Sequence, residues 1–131
     1  LLLSTIPNQD PEPSAWTRQS RHIEIADRDV ISANGREIYN VFQQYGIENV
    51  VIMGVHTNMC ILNRSFAIKQ MTKWGFPCVL VRDLTDAMYD PDDKPYVSHE
   101  EGTQFVIEHI EKYWCPTTSS KELTDSLTES Q

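Results

Sequence analysis

The feature that most limits how this chain can fold is an apolar and mainly β-branched run at residues 49–55, NVVIMGV. A run of this kind is typical of a strand buried on both faces of a parallel sheet. The following residues, 56–74, carry apolar side chains at helical spacing and predict one long helix that ends at Gly75. A second apolar run at residues 78–81 predicts another buried strand. Strand, helix and strand in this order indicate a parallel α/β unit with a crossover helix.

Further elements are predicted on both sides of this unit. Residues 21–26 alternate polar and apolar side chains, which predicts a short strand. Residues 35–45 place an apolar stripe ahead of Gly46 and predict a helix that stops at this glycine. Ser98 and Glu101 form a capping box at the start of a third helix. We therefore predict an α/β fold, a three-layer and doubly wound arrangement with a mainly parallel sheet and flanking helices.

The two ends of the chain differ in composition from its middle. Residues 1–20 hold three of the seven prolines and show no hydrophobic period, which predicts an irregular arm. Residues 21–123 make up the predicted α/β domain, and the Ser- and Thr-rich residues 124–131 predict a disordered tail. The chain begins with Leu1 and has no basic segment before its leucines, so we expect no signal peptide and regard the chain as part of a longer polypeptide.

Charge and cysteine content exclude several classes of function. The net charge of −8 disfavours nucleic acid and anionic membranes as partners, and no apolar run has the length of a transmembrane helix. Three cysteines without a C-x-x-C pair predict neither a zinc knuckle nor a dithiol redox motif, and their odd number favours a reducing compartment such as the cytoplasm. We expect no metal and no other cofactor. Five aspartates after the second strand lack EF-hand spacing and indicate a solvated loop: Asp83, Asp86, Asp90, Asp92 and Asp93.

The carboxyl end of the first buried strand is the predicted position of the functional site. Ligands of such sheets bind beyond the carboxyl ends of the strands, which points to residues 54–60, GVHTNMC. If Thr57 or Asn58 is the N-cap, Cys60 lies in the first helical turn, where unpaired N–H groups and the helix dipole favour a thiolate. Cysteines in such positions have pKa values of roughly 3.5 to 7.5. The same N–H groups offer a site for the oxyanion of a tetrahedral intermediate.

Each of these residues also has a structural interpretation. An isolated cysteine is usually a small filler of the apolar core, and we interpret Cys78 and Cys115 as structural or incidental. Both alternatives stay open for Cys60 on its position alone. His56 is a general base, a ligand or a hydrogen-bonded part of the scaffold.

The residues around Cys60 resemble a known motif. The run NVVIMGVHTNMC at residues 49–60 is similar to the nucleophile motif of the isochorismatase-like cysteine hydrolases, written G-V-x-T-x-x-C after a hydrophobic strand. Residues 79–87, VLVRDLTDA, look like the next strand of that family and its acidic loop. The resemblance extends over residues 23–123. The family includes nicotinamidases, isochorismatases, N-carbamoylsarcosine amidohydrolases and related amidases.

The resemblance implies a fold, a reaction and a set of site residues. The fold is a doubly wound α/β sheet, and the reaction is hydrolysis of a small amide or related carbonyl compound by an Asp–Lys–Cys triad. Cys60 matches the nucleophile, and the backbone N–H groups of His56 and Cys60 match the oxyanion hole. A cis peptide bond that helps to shape this hole would join Val55 and His56. The expected partner is thus a small-molecule substrate.

Two features of the sequence depart from the family pattern. The family's aspartate ends its first, central strand, and nothing before residue 20 resembles that strand. The family's lysine stands four residues before a Ser–Ala pair, and Arg28 occupies that position ahead of Ser32. Arginine stays protonated, so Arg28 can stabilise an anion but cannot transfer protons.

These departures lead to two expectations. We expect this chain to be inactive by itself, and the alternative to a hydrolase is a non-catalytic binding or assembly module that has lost the triad. Without the family's first strand, the strand at residues 49–55 has an unpaired edge. Such an edge predicts poor stability or self-association of the chain into a homo-oligomer.

Overall fold

A computed structural model describes residues 17–129, which divide between Val30 and Ile31 into two compact units. Residues 17–30 form turns and irregular backbone with exposed side chains, and Ile23 and Ile25 are 57% and 48% exposed. The strand predicted at residues 21–26 is therefore wrong, because alternation alone does not make a strand without a neighbour to pair with. Of the predicted irregular arm, residues 1–16 lie outside the described residues, and residues 17–20 have irregular backbone.

The unit that begins at Ile31 contains one parallel sheet with helices around it. Its strands have the order β1-β2-β3, and both pairings are parallel, which confirms the predicted α/β fold with a parallel sheet and flanking helices. None of the helices within residues 17–129 is long and apolar enough to cross a membrane. The elements in chain order are α1 (Gly35–Tyr45), β1 (Val50–Val55), α2 (Cys60–Asn63), α3 (Ile68–Lys73), β2 (Cys78–Asp86), α4 (His99–Tyr113), β3 (Thr117–Thr118) and α5 (Ser120–Glu129).

Local side-chain signals set the ends of two helices. The side chain of Asn34 accepts hydrogen bonds from two N–H groups in the first turn of α1, and Gly46 ends this helix in the left-handed conformation at φ 63°. The predicted capping box of α4 is present. Ser98 Oγ accepts from the Glu101 N–H at 3.2 Å, and Glu101 Oε2 accepts from the Ser98 N–H at 3.0 Å.

The single helix predicted over residues 56–74 is wrong, because the structure has two short helices, α2 and α3, in its place. The backbone is extended at Arg64, after α2, and at Ala67, before α3. Between them, Ser65 Oγ accepts a hydrogen bond from the Gly35 N–H at 3.1 Å. The segment between α2 and α3 thus contacts the start of α1. The helical spacing of apolar residues in the sequence does not reveal this contact, because it joins residues far apart in the chain.

The C-terminal residues form a helix where the sequence predicts a disordered tail. Residues 124–129 belong to α5, and residues 130–131 lie outside the described part of the chain. Glu122 Oε2 accepts from the N–H of Ser119 at 2.7 Å and pairs with Arg82 at 3.1 Å. The hydrogen bonds from Ser119, followed by the Arg82 charge, lower the pKa of Glu122 to about 2. Asp83 accepts hydrogen bonds from the N–H and hydroxyl of Ser120. Contacts with β2 therefore fix the start of this helix.

The hydrophobic core lies between the sheet and helices α1 to α4. Cys78 and Cys115 are part of it, as the structural interpretation of these two cysteines predicts. Burial raises the pKa of both thiols, to about 11 for Cys115. The buried members of the core are Leu62, Ile68, Met71, Phe76, Cys78, Leu80, Ile107, Ile110 and Cys115.

Strand β1 lies at one edge of the described sheet and pairs with β2 alone. Val50 and Ile52 pack against the core, whereas Val51, Met53 and Val55 are 44%, 47% and 57% exposed. The prediction that this strand is buried on both faces is therefore wrong. Residues 31–129 provide one covered face for β1 and leave apolar side chains on the other.

Candidate functional site

The turn between β1 and α2, residues 56–59, occupies the position at which the sequence predicts the site. The peptide bond between Val55 and His56 is cis, and this is the bond at which the family resemblance implies a cis peptide. Met59 is the N-cap of α2 and makes no side-chain capping bond, so neither Thr57 nor Asn58 has the predicted capping role. Cys60 follows as the first residue of α2 and is half-buried with a free thiol.

The α2 helix is a single turn of four residues. The dipole of a long helix, which the sequence prediction invokes for Cys60, is therefore not available. What the turn offers instead is a pair of free N–H groups. The N–H groups of Met59 and Ile61 donate to the His56 carbonyl at 3.0 and 3.2 Å, whereas hydrogen bonds among residues 17–129 leave the N–H groups of His56 and Cys60 without an acceptor. Free backbone donors beside a thiol are the groups that an oxyanion requires.

Thr57 is fully buried and joins the turn to β2. Its Oγ1 lies 2.7 Å from Thr85 Oγ1, which donates to the Gly54 carbonyl at 2.8 Å. Because the only hydroxyl proton of Thr85 points to Gly54, the Thr57 hydroxyl must be the donor to Thr85. The Thr57 N–H also donates to the Asp86 carbonyl at 2.9 Å. These bonds hold the sheet together where the register of β1 and β2 shifts, between Ile52 and Gly54.

Asn58 joins the same turn to the loop that follows β2. Its Nδ2 donates to the Met88 carbonyl at 2.9 Å, and its Oδ1 accepts from the Met88 N–H at 2.9 Å. Asn63 Nδ2 donates to the carbonyls of Asn58 and Met59 at 3.2 and 3.1 Å. Lys69 Nζ in turn donates to Asn63 Oδ1 at 2.8 Å. The turn is thus held by contacts on three sides, from β2, from the loop and from α2.

Asp86 and His99 form an ion pair at the carboxyl end of β2. His99 Nε2 lies 2.7 Å from Asp86 Oδ1, and His99 Nδ1 lies 2.9 Å from the Tyr89 carbonyl. Both partners are acceptors, an arrangement that suits the protonated form of His99, in which both ring nitrogens donate. The hydrogen bond with Asp86 raises the pKa of His99, and the same bond lowers the pKa of Asp86, with a smaller contribution from the charge of His56.

This ion pair is a feature of the site that sequence reasoning missed. Asp86 is one of five aspartates that the sequence predicts to lie in a solvated loop, and His99 is 13 residues further along the chain on another element. The available signal is that Asp86 follows the apolar run at residues 78–81 within a few positions, near the carboxyl end of β2. Both ring nitrogens of His99 are engaged in hydrogen bonds within the fold, so neither is free to accept a proton from a substrate.

Arg28 belongs to the unit that ends at Val30, and its side chain is exposed. Cys60 belongs to the other unit, so an interaction between Arg28 and Cys60 stays a prediction from the family resemblance. Within residues 17–129, no group of three or more His, Cys, Asp or Glu side chains is arranged to hold a metal ion.

Neither a protein-family model nor a curated protein matches this sequence. The structure is similar to the crystal structure of a cysteine hydrolase from Pseudomonas syringae pv. phaseolicola 1448A, with a TM-score of 0.61 and 16% sequence identity. The similarity covers 72% of this chain and 44% of the hydrolase, so the chain matches less than half the length of that protein. At this identity the likeness shows the fold: this chain has an α/β fold shared with a cysteine hydrolase.

Proposed function

We propose that this chain carries the nucleophile of a cysteine hydrolase that acts on small amides or related carbonyl compounds. One observation supports this proposal most directly: Cys60 begins α2 on a buttressed turn where the N–H groups of His56 and Cys60 have no acceptor among the described residues. The shared fold and the motif at residues 54–60 agree with it.

The reaction that this arrangement suits is acyl transfer through a thioester. The Cys60 thiolate forms an S–C bond with the substrate carbonyl, and the two N–H groups bind the oxygen that takes up the negative charge. Collapse of this intermediate breaks the C–N bond, and the leaving nitrogen takes the proton that the thiol lost. Water then attacks the thioester, which releases a carboxylic acid and restores the thiol. In this proposal Arg28 stabilises the thiolate or another anion, since it holds its charge at all ordinary pH values.

The first experiment is the pH dependence of iodoacetamide alkylation at each cysteine, followed by peptide mass spectrometry. We expect Cys60 to react fastest at every pH at which the chain is folded, because Cys78 and Cys115 are buried and react only after unfolding. Three thiols that react at equal rates in the folded chain would argue against an assembled site.

A substitution in the longer protein tests the catalytic step itself. Cys60→Ala should abolish any amidase activity and leave the fold unchanged by circular dichroism. An active Cys60→Ala protein would refute the proposal. Arg28→Lys and Arg28→Gln form a matched pair of substitutions. Arg28→Gln removes the positive charge and should slow alkylation of Cys60 at neutral pH, whereas Arg28→Lys keeps the charge and should not.

A non-catalytic binding module is the second candidate, and the arginine at the family's lysine position favours it. A module of this kind would bind small carbonyl compounds as well after Cys60→Ala as before. Calorimetry with the unmodified and substituted proteins separates the two candidates, since the hydrolase also turns over its ligand.

A further inference from the structure

We infer that Asn58 is a positioning residue that fixes the free N–H groups of the Cys60 turn by tying this turn to the backbone of Met88; this inference rests on the proposed function. Asn58 comes two residues after His56 and two before Cys60, whose N–H groups have no acceptor within residues 17–129. Both polar atoms of its side chain are hydrogen-bonded to the backbone of one residue. The amide nitrogen donates to the Met88 carbonyl, and the amide oxygen accepts from the Met88 N–H, both at 2.9 Å.

The paired bonds make Asn58 act like an additional residue of a strand. A side-chain amide that bonds both backbone groups of one residue fixes distance and orientation together, as a backbone pair does in a sheet. The Asn58 carbonyl is held as well, because it accepts from Asn63 Nδ2 at 3.2 Å. Side chain and main chain of Asn58 are therefore bound to different partners, so the turn cannot rotate without breaking one set of bonds.

The loop to which Asn58 is tied is itself held firmly. The Tyr89 carbonyl contacts His99 Nδ1 at 2.9 Å, and the Tyr89 hydroxyl accepts from the Val97 N–H at 3.1 Å. The Tyr89 ring packs against Gly102, where an added Cβ would lie 2.6 Å from Cε1. Met88 precedes Tyr89 directly, so its backbone is a fixed support rather than a part of a mobile loop.

Two free donors must point at one oxygen for an oxyanion hole to work. Misplacement of such groups by about 1 Å costs on the order of 100-fold in rate. Thr57 ties the turn to β2 through its hydroxyl and its N–H, but nothing in that contact constrains the side of the turn that faces the loop. Asn58 supplies the constraint on that side.

The test compares two reactions of Cys60 in the folded chain. Acylation by p-nitrophenyl acetate forms the S–C bond, expels nitrophenolate and passes through a tetrahedral oxyanion, whereas alkylation by iodoacetamide forms no oxyanion. We expect Asn58→Ala to slow acylation by about 10- to 100-fold. Alkylation should change by less than about twofold, because substitution at sulfur does not use the oxyanion donors. Hydrogen exchange at the Met88 amide should accelerate in the same variant, because its acceptor is removed.

Two matched variants control the comparison. Met88→Ala removes a side chain but keeps the backbone that Asn58 binds, so both rates should stay as in the unsubstituted chain. Asn40→Ala makes the same chemical change as Asn58→Ala at an exposed position of α1 and should also leave both rates unchanged. If Asn58→Ala does not fold, Asn58→Asp keeps the acceptor and replaces the donor with a carboxylate oxygen, and it should slow acylation more than alkylation.

The outcomes separate this inference from the proposed function. Equal losses in the two reactions, or no loss in either, would overturn the positioning role while rapid acylation of the unsubstituted chain upholds the nucleophile. If Cys60 of the unsubstituted chain is acylated no faster, relative to alkylation, than the thiol of a short peptide, the oxyanion hole is absent and both proposals fall.

Discussion

The hydroxyl chain beneath the Cys60 turn predicts an asymmetry between two substitutions. Thr57 donates to Thr85, and Thr85 donates to the Gly54 carbonyl, at oxygen–oxygen distances of 2.7 and 2.8 Å. In Thr57→Val, the Thr85 hydroxyl still donates to the Gly54 carbonyl and loses only the hydrogen bond that it accepts from Thr57. In Thr85→Val, the Gly54 carbonyl loses its donor and the fully buried Thr57 hydroxyl loses its acceptor. Thr85→Val should therefore be the more damaging change.

The expected magnitudes follow from the number of stranded groups. A lost hydrogen bond that strands no buried group costs about 0.5–1.5 kcal/mol, and a stranded buried polar group costs about 1–3 kcal/mol. We expect the free energy of unfolding to fall by about 1 kcal/mol in Thr57→Val and by about 2–4 kcal/mol in Thr85→Val. The double substitution removes the stranded hydroxyl together with its acceptor, so its loss should be about 1–2 kcal/mol, less than that of Thr85→Val alone.

Urea denaturation monitored by circular dichroism measures these differences from the midpoints, provided that the slopes agree. Thr57→Ser keeps the donating hydroxyl and serves as the control, with a loss well below that of Thr85→Val. Equal losses in the two single variants would refute the assigned direction of the proton chain. A double variant whose loss equals the sum of the single losses would refute the coupling between the two hydroxyls.

Three more predictions concern the surroundings of the site. Gly102→Ala should lower the free energy of unfolding by about 1–3 kcal/mol, because a Cβ would overlap the Tyr89 ring. A smaller side chain in place of Tyr89 should reduce this loss, which a double-mutant cycle measured with urea would show. The raised pKa of His99 and the lowered pKa of Asp86 mean that their pair stabilises the fold fully between about pH 3.8 and 6.5. This contribution is lost as pH rises through the folded pKa of His99 or falls through that of Asp86. A His99→Gln variant whose stability follows the same pH profile would contradict this prediction. We also propose that the chain self-associates through β1, so Met53→Lys should reduce the apparent mass in sedimentation experiments, and a monomeric unsubstituted chain would refute this.

Local signals in the sequence were sufficient for several elements of the fold. The apolar runs at residues 50–55 and 78–81 are strands, and Gly46 and the Ser98–Glu101 pair end and begin helices where predicted. Each of these signals acts between residues close in the chain. A β-branched run favours extended backbone, and a cap satisfies N–H groups a few residues away, so neither depends on distant segments.

Other features depend on contacts between distant segments, and the sequence prediction failed there. The helical period of residues 56–74 continues through the break at residues 64–67, where Ser65 contacts Gly35 instead. The Ser- and Thr-rich composition of residues 124–131 predicts a disordered tail, but residues 124–129 belong to α5, and contacts of Ser120 with Asp83 support this helix. The apolar run of β1 fits a strand with two buried faces, but one face remains exposed.

The same division applies to the candidate site. The sequence by itself determined that Cys60 follows a strand end and which motif surrounds it, because both are properties of adjacent residues. Only the tertiary structure decided which groups support that turn: Asn58 with Met88, and Asp86 with His99. The members of the first pair lie 30 positions apart and those of the second lie 13 apart. They meet because parallel strands and the loops after them end on the same side of a sheet, and that side is set by the packing of the whole α/β unit.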